Sequence, residues 1–72
     1  MIVLTRLNRA RFAVNPDLVE RIQAMPDTTL TMVDGATVVV TETMDEVIEK
    51  ITRFRARVLA AAAAWPQAED GL

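Results

Sequence analysis

The stretch from Thr28 to Glu49 constrains this chain more than any other. Thr28–Thr41 alternates threonine with apolar and β-branched residues about a central Asp34-Gly35, and Thr43-Met44-Asp45-Glu46 follows almost at once. Alternation with period 2 about such a dipeptide predicts a β-hairpin. A two-residue loop at Asp34-Gly35 would put Leu30 opposite Val39 and scatter the apolar residues over both faces. A three-residue loop, Val33-Asp34-Gly35, puts Gly35 in the left-handed position of a bulge. Met32 then opposes Ala36, Leu30 opposes Val38 and Thr28 opposes Val40. Leu30, Met32, Ala36, Val38 and Val40 share one face, and Thr29, Thr31, Thr37, Val39 and Thr41 the other. A one-residue slip would exchange the faces, so the pattern selects the three-residue loop.

Thr43 and Glu46 have the spacing of a capping box, with Asp45 and Glu46 in the first turn, where the helix dipole favours negative charge. The predicted helix carries Met44, Val47, Ile48, Ile51, Phe54, Val58 and Ala61 or Ala62 as an apolar stripe and ends near Trp65-Pro66. Glu46/Lys50 and Glu49/Arg53 are spaced for ion pairs one turn apart, acid first. Some 22 residues of helix would run for about 33 Å, longer than a small sheet. The second half therefore either projects from the domain or packs against a neighbour.

Upstream, Met1–Leu7 and Arg11–Val14 form a candidate first hairpin, with Ile2 and Leu4 on one face and Phe12 and Val14 on the partner strand. Its Asn8-Arg9-Ala10 turn is weakly specified, because arginine does not readily adopt a left-handed conformation. Leu18–Met25 is ambiguous. Leu18, Val19, Ile22 and Met25 have helical spacing behind Asn15-Pro16, but Pro26 biases Met25 to extended backbone and a helix would be very short. A bulged strand running on into Thr29–Val33 is the alternative, and the residues alone leave the two open. The expected fold is α+β: a small antiparallel sheet of four to five short strands in hairpins, with one long C-terminal helix packed on it. Residues 1–65 form the single domain and 66–72 a disordered tail.

With 72 residues, the core is marginal. Neither cysteine nor histidine occurs, so disulfides and the common zinc sites offer no reinforcement. A homo-oligomer is the leading expectation. The N-terminus lacks a signal-peptide run, and the low-polarity stretch Val58–Trp65 is far below the roughly 20 residues of a membrane span, so the chain reads as soluble and cytoplasmic. Net charge is −2 and unevenly spread. Arg6, Arg9 and Arg11 come first, an acidic middle follows, and Lys50, Arg53, Arg55 and Arg57 close the series. Overall acidity argues against nucleic-acid binding.

Catalysis fails on inventory. Histidine, cysteine and tyrosine are absent, and Gly35 and Gly71 make no phosphate loop. Asp45 and Glu46 are explained by capping, Glu49 by ion pairing, and Asp17, Asp27 and Asp34 by turns. No cofactor and no metal is expected. The candidate interface is Lys50, Arg53 and Arg57 on one side of the helix, fitted to an acidic partner or simply solvated, together with Trp65, which either anchors a contact or caps the helix.

The order of residues carries more than their chemistry. Leu4-Thr5-Arg6-Leu7-Asn8, Phe12-x-Val14-Asn15-x-Asp17-Leu18-Val19-Glu20-x-Ile22, Pro26-Asp27-Thr28-Thr29-Leu30-Thr31-Met32, Asp34-Gly35, Val39-Val40-x-Glu42 and Glu46-Val47-Ile48 together resemble the FlbD/SwrD family of small flagellar and swarming-motility proteins. The likeness spans roughly residues 1–51. One departure is Arg9, where members usually place glycine after asparagine. The resemblance implies a cytoplasmic, non-enzymatic accessory protein that supports motor power and swarming by contact. Its implied partners are motor or stator components at the flagellar base, with the membrane reached only through them. It favours the strand over the helix for Leu18–Met25 and assigns no site residues. Two other readings compete: Met1–Arg6 also looks like the first strand of the carbon storage regulator family of small RNA-binding dimers, and a structural homo-oligomer without a motility role needs no further chemistry.

Overall fold

The computed structural model describes residues 1–64. Two antiparallel units precede one helix. The first pairs β1 (Ile2–Thr5) with β2 (Arg11–Val14), Ile2 opposite Val14 and Leu4 opposite Phe12. The second is a three-stranded sheet in the order β3-β4-β5, formed by β3 (Val19–Gln23), β4 (Thr28–Met32) and β5 (Thr37–Val40). The helix α1 (Met44–Ala64) closes the described chain. The α+β fold is as expected, with the strands divided between two small sheets.

The two hairpin loops share one hydrogen-bond pattern. In the second, the Gly35 N–H donates to the Met32 carbonyl at 2.9 Å and the Met32 N–H to the Ala36 carbonyl at 2.8 Å. The Asp34 carboxylate accepts from the Ala36 N–H at 2.9 Å. Thr28 opposes Val40 and Leu30 opposes Val38, the register of the three-residue loop, and Gly35 sits at φ +91°. In the first loop, Arg9 N–H donates to Arg6 C=O at 2.9 Å, Arg6 N–H to Ala10 C=O at 2.8 Å, and Ala10 N–H to the Asn8 side chain at 2.9 Å. Arg9 therefore occupies the position of Gly35, at φ 75°. The turn forms despite the wrong residue, because Asn8 supplies the same side-chain bond as Asp34 and the flanking ladder fixes the rest.

Leu18–Met25 satisfies both of its local signals in turn. The Asn15 side chain accepts from the Asp17 N–H at 3.0 Å and Pro16 opens a 3₁₀ turn, Pro16–Leu18. The chain then leaves as β3, with a bulge between Val19 and Arg21, as the strand reading expected. The helix is abandoned because Ile22 pairs with Leu30 and covers the core, which a single further turn could not do. The Met25–Pro26 bond in the following turn is cis.

The core joins all three units. Ile2, Leu4 and Val14 from the first hairpin, Leu30 and Val40 from the second, and Val47 from α1 are buried, and Phe12, Ile22, Val38, Ile51 and Phe54 pack around them. Val47, Ile51 and Phe54 follow the expected stripe, but only the first half of α1 has a sheet beneath it. At 21 residues the helix is about 32 Å long. The molecule measures 49 × 22 × 19 Å with a radius of gyration of 15.0 Å, against about 11 Å for a compact chain of this length. The helix accordingly overhangs the body from about Arg57 onwards.

The shared loop geometry makes a directional prediction. Arginine in the left-handed region costs roughly 1–2 kcal/mol, and glycine returns part of that gain as unfolded-state entropy. Arg9→Gly is expected to stabilise the fold by about 0.5–1 kcal/mol. Gly35→Ala should destabilise it by a similar amount through backbone strain alone, because no atom lies within 4 Å of the added Cβ. Urea unfolding of the three proteins reads both shifts.

Candidate functional site

The polar centre of the molecule is the junction of its two sheets. β1 and β5 meet end to end: Arg6 and Val40 form an isolated antiparallel bridge, and the Thr41 N–H donates to the Thr5 carbonyl at 2.8 Å. Glu42 then turns inward. One of its oxygens accepts from the Thr5 N–H at 2.9 Å and the other from the Thr5 hydroxyl at 2.8 Å. Partial burial would by itself raise the Glu42 pKa. The two bonds from Thr5, with lesser help from its own N–H and from Lys50, outweigh that and hold the carboxyl below its ordinary value. A carboxylate kept ionised, with both oxygens already engaged, serves as a clamp and not as a general acid.

The helix starts next to this clamp. The Thr43 N–H donates to Glu46 Oε1 at 2.8 Å and the Glu46 N–H to Thr43 Oγ1 at 3.1 Å, the expected capping box. Engagement at the cap draws Glu46 away from Lys50, and the anticipated Glu46–Lys50 pair is not among the described ion pairs, whereas Glu49 holds Arg53 at 2.7 Å. The second described ion pair, Arg55 to Asp17 at 3.6 Å, ties the helix to the 3₁₀ turn. With both partners exposed it contributes little.

Lys50, Arg53, Arg57 and Trp65 fare differently. Lys50 and Arg57 line one shallow depression with Met1, Ile2 and Val3 from the first strand. Arg53, turned to Glu49, lines a neighbouring acidic cleft with Glu42, Asp45 and Glu46, and Lys50 borders both. Trp65 lies outside the described residues. The cationic surface is thus a ledge of Lys50 and Arg57 with an apolar border of Met1 and Val3. That border was missed because no spacing rule joins residues 1–3 to a helix almost fifty positions away. Among the described residues, no group of three or more His, Cys, Asp or Glu side chains is placed to hold a metal ion, and no helix is long and apolar enough to cross a membrane.

Comparison with protein families gives a decisive finding. The FlbD family, flagellar and swarming motility proteins, matches residues 1–59. The chain belongs to the FlbD family. Neither a curated protein nor a solved structure matches it. The family region of this FlbD protein takes in the two hairpins, the Thr5–Glu42 clamp, the capping box and α1 as far as Leu59. The clamp is the feature that sequence reasoning did not find. Its partners are 37 positions apart, and their only trace in the sequence is that Thr5 and Glu42 both fall within the segments that carry the family likeness.

The clamp predicts a pH dependence of definite sign. Because the folded carboxyl titrates below its ordinary value of 4.5, the unfolded chain binds the proton more readily. The clamp's contribution is complete above that ordinary value and disappears as pH falls through the lowered folded value. Glu42→Gln is expected to cost about 1–2 kcal/mol at neutral pH and to flatten the acid limb of stability against pH. Denaturant unfolding between neutral and acid pH measures both.

Proposed function

We propose that this FlbD protein is a non-enzymatic accessory of the flagellar motor that sustains motor power and swarming by binding another protein. The observation that carries the reading is the family match, which runs through every structural unit of the body. The chemistry agrees with it. The carboxylates of Glu42, Glu46 and Asp34 are engaged by the clamp, the cap and a turn, and those of Glu49 and Asp17 by arginines.

The contact surface in this reading is the Lys50–Arg57 ledge. Two cations beside the exposed side chains of Met1 and Val3 suit a protein segment that alternates acidic and apolar residues. Arg53 contributes less, because Glu49 already neutralises it. The place of action is the cytoplasmic face of the motor or stator, where a small protein of this kind could bear on torque without crossing the membrane.

Deletion and complementation in the native cell test the proposal. Removing the gene should reduce tethered-cell torque and abolish swarming, and the intact gene should restore both. Lys50→Gln with Arg57→Glu should leave protein levels normal yet restore neither, because it removes the positive charge of the ledge while sparing the buried core and placing no acid beside Glu42. Unchanged torque and swarming on deletion would sink the motility role. Full complementation by the double variant would remove the ledge from it.

A further inference from the structure

The two hairpin loops share a backbone geometry and differ in chemistry. The second runs Met32-Val33-Asp34-Gly35-Ala36-Thr37 and the first Arg6-Leu7-Asn8-Arg9-Ala10-Arg11. Each places an exposed apolar residue first in its turn, Val33 at 60% and Leu7 at 56%. Asn8 accepts from the Ala10 N–H and Asp34 from the Ala36 N–H, both at 2.9 Å. Around this common frame, three arginines stand in the first loop where the second has methionine, glycine and threonine, and neutral Asn8 stands in the place of Asp34.

The fold does not explain these cations. Arg9 sits at φ 75° in the place that Gly35 fills at φ 91°, and Arg9→Gly is expected to steady the protein. Residues held in a disfavoured backbone region gather at functional positions. Ion pairing does not explain them either, because the two described salt bridges belong to Arg53 and Arg55. The first acid in the sequence is Asp17, and Glu42, drawn to the base of this hairpin, is engaged there by Thr5. Arg6 lies over the Phe12 ring, 4.4 Å from its centroid, which steadies the guanidinium without neutralising it. Arg6 thus shares the face of Phe12, and alternation along β2 puts Arg11 on the other. Residues 6–11 are all exposed, so the loop presents one leucine flanked on both sides by arginine.

We propose that this loop docks on an anionic lipid surface, with Leu7 entering the headgroup layer while Arg6, Arg9 and Arg11 meet phosphate groups. Charge complementarity selects an anion, and the form of the loop selects a lipid. Six residues fall far short of the roughly 20–30 per side that a specific protein interface uses. A fluid interface needs no matching shape, and it accepts an aliphatic side chain ringed by cations. Single-stranded nucleic acid would need an open aromatic face for stacking, and Arg6 already covers the Phe12 ring. The Asn8 bond and the flanking ladder set the loop before contact, so docking orders little. The second loop, alike in backbone, carries Asp34 and would be repelled by the same surface. The resemblance implied a membrane reached only through the motor, whereas this contact is direct and uses none of the ledge residues.

Co-sedimentation of the full chain with lipid vesicles tests it. Phosphatidylcholine vesicles carrying about 30% phosphatidylglycerol should pull the protein down, and pure phosphatidylcholine should not. Raising salt from about 50 to about 500 mM should release it. Arg9→Gly, which keeps the fold, should lower partitioning about five-fold, and Arg9→Gly with Arg11→Gln about 25-fold. Leu7→Ser should lower it about ten-fold through the lost aliphatic insertion. Arg21→Gln with Arg55→Gln removes two cations away from the loop and should partition as the wild type does, with thermal melts checking the fold of every variant. Equal binding to neutral vesicles, a loop variant that partitions like the wild type, or a control pair that falls as far as the loop pair would each overturn the proposal. So would a preference for single-stranded RNA or for an acidic peptide over the anionic vesicles. These variants leave Lys50 and Arg57 in place, so failure here is distinct from failure of the motility reading.

Discussion

The bidentate hold of Glu42 on Thr5 is the interaction on which the rest of the molecule depends. A two-stranded hairpin is marginal alone, and a three-stranded one is little better without a face to cover. The clamp, with the Thr41–Thr5 backbone bond and the Arg6–Val40 bridge, turns two such units into one continuous surface. It also fixes where the helix begins. Thr43 follows Glu42 directly, so the capping box starts α1 at the seam and Val47 drops between the sheets, fully buried against Leu4, Leu30 and Val40. A single carboxylate thus links sheet to sheet and sheet to helix.

Local physics was legible in the sequence. The Thr28–Val40 register followed from the requirement that Leu30, Val38 and Val40 share a face, and the helix start from Thr43 and Glu46, because both depend on neighbours a few residues apart. Asn15-Pro16 and the apolar spacing of Leu18–Met25 gave contradictory local signals. The chain obeys the first for one 3₁₀ turn and then yields to the sheet, where Ile22 finds cover. Competition between local partners was harder to read. Glu46 fitted both a cap and an ion pair with Lys50, and the cap takes it.

Long-range geometry was not legible. No periodicity connects Thr5 with Glu42, or Met1 and Val3 with Lys50 and Arg57, and these pairings define the seam and the ledge. The division of five strands into two sheets escaped for the same reason, because it depends on where β1 meets β5. Arg9 was recognised as the wrong residue for its turn, yet the strands on either side hold it there. The length of the helix, by contrast, was a sound guide: a stripe longer than any small sheet outruns the body, and Val58 and Leu59 stand exposed on it.

Chemistry and architecture agree in this FlbD protein. The carboxylates of Glu42, Glu46 and Asp34 are engaged by backbone groups, and the Lys50–Arg57 ledge lies on a helix whose position the clamp dictates. The central claim is that the clamp welds the units into one cooperative body, and native-state hydrogen exchange tests it most directly. The account predicts that the amides of Thr5, Thr41 and Val47 open only with global unfolding, at one common free energy shared by both hairpins. A first hairpin that opens at markedly lower free energy, while β3–β5 and the helix start stay protected, would contradict it.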